Sequence, residues 1–202
     1  GEMIMTGAII LAGGQGKRYQ KQKQFELLNG IEMWKYVYQK TIEVIEQENV
    51  IVVGVDVVGG GVRSESVQIG LNNLPEDCSR VVILEAARPL VTVDQIQRLI
   101  EDDSASTTFA LPLVNTVIGR DGTYFNRTDF YDLLTPQAFD YRLLKQAYDT
   151  GNYTDTTDET IVMYMEYGIK PHFILDGENL IKVTYKRDLE IIKQLLEERD
   201  KE

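Results

Sequence analysis

The chain has few of the residues on which disulfide frameworks and cysteine-rich metal sites are built. Among its 202 residues there is one cysteine, Cys78, and one histidine, His172, and we assign neither a functional role. A single cysteine excludes an internal disulfide framework and a cysteine-rich zinc site. No apolar run approaches the roughly 18 residues of a membrane-spanning helix, and no charged-then-apolar leader opens the chain. Together these shortages predict a protein of the reducing cytoplasm without a membrane partner.

Positive charge is also in short supply. The chain has 21 lysines and arginines against 32 acidic residues, so its net charge is −11. Such a surface repels nucleic acid and anionic membranes, and we expect neither as a partner. Residues 13–25 are the exception, because they carry four cations and no acid: Lys17, Arg18, Lys21 and Lys23. This basic segment indicates a negatively charged ligand.

The basic segment is rich in glycine and follows an apolar stretch of strand length, residues 7–12. Its glycines are Gly13, Gly14 and Gly16. Glycines let the backbone turn tightly and approach a ligand, and bare backbone N–H groups with nearby cations bind polyphosphates. A dinucleotide fingerprint would need glycine in place of Tyr19, and a P-loop would need serine or threonine in place of Arg18. The alternative is that this segment binds no ligand and is an ordinary strand-to-helix turn with solvated charges.

Apolar segments alternate with helical patterns over the first part of the chain. Strands are predicted at 7–12, 50–55, 81–84 and 107–113, and helices at about 33–48, 63–74 and 92–100. This alternation predicts an α/β fold of Rossmann type, with a mostly parallel sheet flanked by helices. Ligands bind at the carboxyl ends of such strands, so residues 13–23, 59–66 and 85–88 should converge on one cleft.

The rhythm changes at residues 114–134, where turn residues separate short β-prone pieces. Asp121-Gly122 predicts a hairpin, so this segment is interpreted as an extended arm, with a surface loop as the alternative. Further helices are predicted at 143–148, 158–167 and 189–198, and late strands at 173–175 and 180–184. With no linker in view, we expect one domain over residues 1–202. The two-residue link at Asp56 is too short for a parallel crossover, which predicts a true deletion or a mobile segment absent from the numbered chain.

Six motifs, in order over about residues 7–196, resemble those of the 2-C-methyl-D-erythritol 4-phosphate cytidylyltransferases and their sister family, the ribitol-5-phosphate cytidylyltransferases. The motifs are Ala8-Ile9-Ile10-Leu11-Ala12-Gly13-Gly14-x-Gly16-x-Arg18 with Lys23-Gln24-Phe25, Gly59-Gly60-x-x-Arg63-x-x-Ser66-Val67, Ala86-Ala87-Arg88-Pro89, Leu134-Thr135-Pro136-Gln137-x-Phe139, Thr157-Asp158-Glu159, and Ile181-Lys182-Val183-Thr184-x-x-x-Asp188-Leu189.

The resemblance implies a nucleotide-diphospho-sugar transferase fold and the transfer of CMP from CTP to a polyol phosphate, releasing pyrophosphate, with Mg²⁺ as cofactor. Methylerythritol phosphate, an intermediate of isoprenoid biosynthesis, is the first choice of acceptor. The resemblance also implies a homodimer whose arms, at about 114–134 here, complete each other's sites. A phosphate monoester is already ionised at neutral pH, so the reaction needs positioned charge rather than a general base.

By resemblance, each class of site residue maps onto this sequence. The catalytic cations would be Arg18, Lys23 and Lys182. The nucleotide would be bound by Ala12, Gly13, Gly14, Gly16, Gly60, Gly61, Ser66 and Ala86. The polyol phosphate would be bound by Arg88, Arg127, Thr135 and Thr157. Arg127 and Thr135 lie on or beside the arm, so their site would be either this subunit's or the partner's. Glu85, where the family usually has aspartate, would hold Mg²⁺.

Each role has a structural alternative. Lys23, Lys182 and Arg127 could be surface charges, and Ser66 could bond only to its own helix terminus. Residues 11–14 and 24–25 resemble the ribitol phosphate family more, whereas residues 86–89 resemble the methylerythritol phosphate family, and another sugar or polyol phosphate is a third possibility. Two rival classes are a nucleotide-binding protein without turnover, suggested by Glu85, and a nicotinamide-dependent oxidoreductase, which Tyr19 disfavours.

Overall fold

The computed structural model describes residues 4–13, 23–154 and 156–201. The strands are β1 (Thr6–Leu11), β2 (Leu27–Leu28), β3 (Ile31–Glu32), β4 (Val50–Val53), β5 (Arg80–Glu85), β6 (Ser106–Pro112), β7 (Val117–Ile118), β8 (Tyr124–Phe125), β9 (Tyr131–Asp140) and β10 (His172–Leu175). The helices are α1 (Met33–Thr41), α2 (Arg63–Asn73), α3 (Val93–Glu101), α4 (Tyr141–Thr150), α5 (Glu159–Tyr167) and α6 (Lys186–Arg199).

Six of these strands form the central sheet, in the order β10-β6-β9-β5-β1-β4. The pairs β10–β6, β5–β1 and β1–β4 are parallel, and β9 runs antiparallel between β5 and β6. The predicted α/β fold with a mostly parallel sheet is therefore confirmed. Strands β1 and β4 and the centre of β5 are apolar on both faces because helices cover both sides of this part of the sheet.

Alternate residues of β1 enter two different hydrophobic cores, one on each face of the sheet. Ala8 and Ile10 lie in the core beneath α1 and α3, whereas Ile9 lies in the core beneath α2, α4 and α5. Both cores exclude water from the strand side chains, whose period of two sends neighbours to opposite faces. A third, smaller cluster joins α6 to α1 and to the loop at Leu90.

Strand β9 is absent from the sequence-based predictions. This strand is ten residues long. Leu133 and Leu134 pair with β6, and Gln137, Ala138 and Phe139 pair with β5. Proline and acidic residues within it disguise a central strand. The predicted strand at 180–184 is wrong, because those residues form no strand and Val183 makes one backbone hydrogen bond, from its N–H to the Ala87 carbonyl (2.8 Å).

The segment at 114–134 contains the predicted hairpin. Strands β7 and β8 pair antiparallel, and the turn between them places Gly122 at φ +90°. The Gly119 N–H donates to the Thr123 carbonyl at 2.7 Å and closes the turn. Several large apolar side chains of this segment and of the start of β9 are exposed: Val114, Ile118, Tyr124, Phe125, Phe130 and Tyr131.

The chain after β4 turns back tightly and needs no crossover. The Gly54 N–H donates to the Val57 carbonyl at 2.7 Å, and the Asp56 carboxylate accepts from the Val52 N–H at 2.8 Å. Gly54 has φ +103°, which a side chain rarely adopts. Val57 thus returns beside Val53 in an isolated parallel bridge. The deletion or missing segment expected at Asp56 stays a prediction.

Other boundaries differ modestly from the predictions. Helix α1 ends at Thr41 rather than near residue 48, because residues 42–49 continue as turns and one 3₁₀ turn before β4. Helices α2, α3 and α5 begin within one residue of the predicted starts, and α4 begins two residues earlier than predicted. None of the helices in the described ranges is long and apolar enough to cross a membrane.

Candidate active site

The carboxyl ends of β1, β4 and β5 meet at one edge of the sheet. Leu11 pairs with Glu85, and the Ala86 N–H donates to the Leu11 carbonyl at 3.0 Å. The Ala12 N–H donates to the Val53 carbonyl at 2.8 Å. The backbone N–H groups of Ala12 and Ala86 are thus occupied within the sheet, so only other atoms of these residues are free to contact a nucleotide.

Gly13 stands at the mouth of this edge. A Cβ built on Gly13 would lie 3.5 Å from the Gly59 Cα and 3.6 Å from the Gly54 Cα, so three backbone segments meet here without side chains. The expected convergence of the loops after β1 and β4 is therefore seen at Gly13 and Gly59. Gly14, Gly16 and Arg18 lie outside the described residues. Lys23 begins a 3₁₀ turn that ends at Phe25.

Glu85, the last residue of β5, is the centre of a polar cluster. Its Oε1 accepts from Lys182 Nζ at 3.1 Å, and its Oε2 accepts from Thr135 Oγ1 at 2.5 Å and from Arg88 Nε at 3.3 Å. Its side chain is only 12% exposed. The structure thus brings together four residues that the sequence analysis had assigned to three different roles.

The charges around Glu85 determine its protonation state. Burial alone would raise the pKa of the Glu85 carboxyl, but Lys182, Arg88 and Arg63 outweigh it and, with the Thr135 hydrogen bond, lower this pKa to about 2. Glu85 is therefore an anion at any physiological pH. It compensates the basic groups that line this edge of the sheet.

Lys182 reaches Glu85 from an irregular segment. The Val183–Ala87 backbone bond fixes this segment against the loop after β5, and the Lys182 side chain remains 35% exposed. An ammonium that is partly open to solvent and held at one end by a carboxylate can turn toward an incoming phosphate. Lys182 thus lies where a charge on a bound ligand would reach it.

Arg88 is more firmly held than Lys182. Its Nη1 donates to the Leu180 carbonyl at 2.5 Å, and its Nε also donates to Thr135 Oγ1 at 2.9 Å. Thr135 lies on β9 and is buried. The guanidinium therefore joins the loop after β5 to β9 and to the segment before Lys182. Its Nη2 has no hydrogen-bond partner among the described residues.

The Gly59–Ser66 segment opens α2 at the same edge. Ser66 Oγ accepts from the Gly60 N–H at 3.0 Å, and the Glu65 carboxylate accepts from the Gly61 N–H at 2.7 Å. The bond from Gly60 agrees with the structural alternative, in which Ser66 bonds only near the start of its own helix. The Ser66 hydroxyl keeps its own hydrogen to donate, but the two glycine N–H groups would have to exchange partners to bind a base.

Thr157 and Arg127, the two remaining residues predicted to bind the acceptor, lie outside the Glu85 cluster. Thr157 is exposed and immediately precedes Asp158, the N-cap of α5. Arg127 is exposed in the 114–134 arm, where its guanidinium donates to the Val114 carbonyl. Neither residue is recorded in contact with Glu85 in this subunit.

A buried ion pair beside the site carries no role in the sequence analysis. Arg63 Nη1 donates to Glu159 Oε1 at 2.8 Å and Oε2 at 2.9 Å, and the Tyr148 hydroxyl donates to Oε2 at 2.5 Å. Both charged residues belong to the quoted motifs Gly59-Gly60-x-x-Arg63 and Thr157-Asp158-Glu159. Those motifs were the available signal, but the partnership between positions 96 residues apart is visible only in three dimensions.

The carboxylates of the described residues do not form a cluster suited to a metal ion. No group of three or more His, Cys, Asp or Glu side chains within them is arranged to hold a metal ion. Both carboxylate oxygens of Glu85 are engaged by basic or hydroxyl groups, and surrounding cations oppose a divalent ion. The residues as arranged do not form a Mg²⁺ site, and the assignment of Glu85 to the metal stays a prediction.

Known proteins resemble this chain over almost its whole length. Residues 6–198 match the family model IspD, 2-C-methyl-D-erythritol 4-phosphate cytidylyltransferase. A 2-C-methyl-D-erythritol 4-phosphate cytidylyltransferase of Alkaliphilus oremlandii is 30% identical over 226 aligned positions, covering 96% of each chain. One of Dictyoglomus thermophilum is 27% identical over 215 positions, covering 90% of this chain and 92% of the relative. Because the first alignment is longer than the 202 residues of this chain, the chain lacks segments that this relative has.

Solved structures share the fold. The bifunctional IspDF of Campylobacter jejuni superposes with a TM-score of 0.80 at 27% identity over 92% of this chain, which spans about half (53%) of that longer protein. The 2-C-methyl-D-erythritol 4-phosphate cytidylyltransferase of Thermus thermophilus superposes with a TM-score of 0.76 at 19% identity, covering 95% of this chain and 98% of that one. The family resemblance inferred from the six motifs is confirmed, and the chain belongs to the 2-C-methyl-D-erythritol 4-phosphate cytidylyltransferase family.

Proposed function

We propose that this protein transfers CMP from CTP to 2-C-methyl-D-erythritol 4-phosphate and releases pyrophosphate. The observation that carries the proposal is the cluster of Lys182, Arg88 and Thr135 around Glu85 at the carboxyl ends of the sheet strands. Two cations and a hydroxyl converge there beside a glycine-lined backbone. Such a set suits two phosphorylated substrates that must be brought together. Because CTP is a cytoplasmic metabolite, we assign the activity to the cytoplasm.

The proposed reaction is an in-line displacement at the α-phosphorus of CTP. An oxygen of the acceptor phosphate forms a bond to that phosphorus while the bond to the bridging α–β oxygen breaks, and the electron pair leaves with pyrophosphate. The acceptor phosphate is already anionic, so no protein group has to remove a proton. The work of the protein is to bring two anions together and stabilise the charge on the transferring phosphoryl group.

Lys182 and Arg88 have different parts in this proposal. The partly exposed Lys182 ammonium would leave Glu85 to contact the α-phosphate, together with Lys23 and Arg18 from the basic segment. Arg88, Thr135 and Thr157 would hold the acceptor. Since the Arg88 guanidinium is held by Leu180 and Thr135, it would bind the acceptor phosphate with little reorganisation.

The cytidine would lie between the Gly13 backbone and the Gly60–Ser66 segment. Ser66 is buried and its hydroxyl can donate to a carbonyl oxygen or ring nitrogen of cytosine. A side-chain-free slot of this kind accepts a small pyrimidine. The phosphates would meet Gly13, Gly14 and Gly16, whose backbone N–H groups are the natural ligands of phosphate oxygens.

Mg²⁺ would enter as the complex with the CTP phosphates, because Mg²⁺ commonly keeps most of its ligands from phosphate and water. The homodimer also belongs to this proposal. The exposed apolar side chains of the 114–134 arm offer a surface that a second copy would cover, and Arg127 would then contribute to the partner subunit's acceptor site.

The test is pyrophosphate release from CTP and Mg²⁺ with 2-C-methyl-D-erythritol 4-phosphate and ribitol 5-phosphate as parallel acceptors. We expect turnover with methylerythritol phosphate. Turnover with ribitol phosphate alone would transfer the chain to the sister activity. If neither acceptor reacts while CTP still raises the melting temperature, the proposed activity is wrong and a nucleotide-binding protein without this turnover remains.

A further inference from the structure

Two buried sets of hydrogen bonds, joined by the chain neighbours Asp158 and Glu159, link the nucleotide side of the site to the acceptor side. This network begins at Arg63, the first residue of α2, which follows the Gly60-Gly61 turn and lies three residues before Ser66. The Arg63 guanidinium holds both oxygens of Glu159, at 2.8 and 2.9 Å. Glu159 is fully buried, whereas the Arg63 side chain is 21% exposed.

The network continues on the acceptor side through the residue before Glu159. Asp158 accepts from Gln137 Nε2 at 2.9 Å, and the same amide donates to Thr108 Oγ1 at 3.0 Å. Gln137 lies on β9 two residues after Thr135, and Asp158 directly follows Thr157. Of the two threonines proposed to hold the acceptor, Thr157 therefore adjoins the buried Asp158, and Thr135 lies on the same strand as the buried Gln137.

An ion pair in this position costs free energy to bury, and the chain offsets that cost with specific bonds. Burial raises the pKa of the Glu159 carboxyl, and Arg63 opposes that rise. The Tyr148 hydroxyl from α4 donates a further bond to Glu159 at 2.5 Å. Buried ion pairs are weak sources of stability but they fix geometry, because breaking one leaves an uncompensated charge.

The pair also retains unused bonding capacity. Arg63 Nε and Nη2 are buried without a hydrogen-bond partner among the described residues. Arg63 acts electrostatically on Glu85, as its contribution to the low pKa of Glu85 indicates. Buried donors without partners are rare in folded proteins, and these two donors leave Arg63 able to bond a further group while Nη1 stays on Glu159.

We propose that Arg63 and Glu159 are positioning residues that couple CTP binding to acceptor binding, by tying the start of α2 to the Thr157–Asp158 turn and, through Gln137, to Thr135. This inference rests on the proposed function. Cytidine bound at Ser66 fixes the start of α2, the Arg63–Glu159 bond fixes the start of α5, and the acceptor threonines are held in their binding positions. The acceptor consequently binds more tightly after the nucleotide.

The test measures the acceptor dissociation constant by calorimetry, with and without a non-hydrolysable CTP analogue. In the wild type we expect the analogue to tighten acceptor binding by about fivefold or more, the range typical of coupled sites. In Glu159→Gln and in Arg63→Lys the ratio should approach 1. Tyr148→Phe removes one hydrogen bond and leaves the ion pair, so it should lower the ratio partially and serves if the stronger variants fail to fold.

Asp102→Asn is the matched control. It breaks another buried arginine–carboxylate pair, in which Arg80 and Asp102 lie 3.8 Å apart at the amino end of β5, and it should lower the melting temperature without changing the ratio. If Arg63 and Glu159 are purely structural, their variants should also have a lower melting temperature and an unchanged ratio of acceptor dissociation constants. That result would overturn the inference. So would a wild type that turns over normally with a ratio near 1.

Failure of the proposed function is recognisable separately. A wild type that releases no pyrophosphate refutes the activity, and the affinity of the variants for CTP alone then decides the positioning role. In that case an unchanged CTP dissociation constant in Arg63→Lys and Glu159→Gln overturns it, while a weakening of about tenfold with an unchanged Asp102→Asn control supports it.

Discussion

At the scale of single residues, Glu85 determines the electrostatics of the site. It is the one carboxylate recorded between Lys182, Arg88 and Thr135 in the described chain. The family usually has an aspartate at this position, and its side chain is one methylene shorter. The longer side chain lets one carboxylate bond to groups from the loop after β5, from β9 and from the segment before α6.

The stability contributed by Glu85 should depend on pH in a defined window. Its pKa is 4.5 in the unfolded reference and about 2 in the folded protein, so its contribution is complete above pH 4.5 and is lost as pH falls toward 2. The shift corresponds to roughly 3 kcal/mol. We expect urea unfolding to show wild type more stable than Glu85→Gln at pH 7, with the difference shrinking below about pH 4.5. A difference that stays constant down to pH 3 would contradict the ion-pair assignment.

Lys182 should matter for turnover and little for folding. Lys182→Ala removes the proposed α-phosphate contact and should lower kcat/KM by about two to three orders of magnitude, a loss typical of a charged transition-state contact. Its partial exposure keeps the cost to unfolding small. Lys193→Ala is the matched control, because the Lys193 side chain on α6 is 33% exposed and that of Lys182 is 35% exposed. Near-normal kcat/KM in Lys182→Ala would remove this lysine from the catalytic role.

At the scale of elements, the turn after β4 is constrained by glycine. A Cβ on Gly54 would lie 2.6 Å from the Ala12 carbonyl carbon and oxygen, in addition to the unfavourable φ of +103°. The chain therefore passes β1 so closely that no side chain fits. This turn connects β4 to the Gly59–Ser66 segment directly, and it holds Gly13 against Gly59.

Gly54→Ala should accordingly destabilise the protein far more than Gly122→Ala. Both glycines have φ near or above +90°, but a Cβ on Gly122 would meet nothing within 4 Å. Gly122→Ala should cost about 1–2 kcal/mol for the left-handed conformation alone. Gly54→Ala should cost about 3 kcal/mol or more because the backbone must also move. Equal urea midpoints for the two variants would show that the close approach of Gly54 and Ala12 is absent in solution.

At the scale of the whole molecule, the 114–134 arm presents an apolar surface that no element within residues 4–13, 23–154 and 156–201 covers. Tyr124 is 73% exposed and Phe125 is 47% exposed. Neighbouring exposed aromatic side chains of this kind are typical of a surface that a partner covers. The proposed homodimer would bury them and bring Arg127 to the other subunit.

Sedimentation velocity should therefore find a dimer that depends on the arm. Replacing Tyr124 and Phe125 by serine should shift the protein toward monomer and reduce turnover, because Arg127 would be withdrawn from the partner's site. Tyr164→Ser on α5, where the tyrosine is 55% exposed, is the control and should leave the dimer intact. A wild type that is monomeric at micromolar concentration would refute the arm's role in assembly.

Local signals in the sequence were sufficient for much of the fold. Apolar runs identified β1, β4, β5 and β6, because buried parallel strands need apolar side chains on both faces. Asp121-Gly122 identified the hairpin. The helices predicted at 92–100 and 158–167 do begin at the N-cap residues Thr92 and Asp158, whose side chains accept hydrogen bonds from the first-turn backbone of α3 and α5.

Tertiary structure decided the features that depend on partners distant in the chain. Strand β9 is central because β5 and β6 leave a space that it fills, although its own sequence includes Pro136 and acidic residues. Residues 180–184 look like a strand locally, but they cross the site and bond to the loop after β5. Lys182 and Glu85 are 97 residues apart in sequence, as Arg63 and Glu159 are 96 apart. Such pairs form only where the sheet brings the ends of separate elements together. The motifs therefore identified these residues, but only the folded chain shows which of them bond to one another.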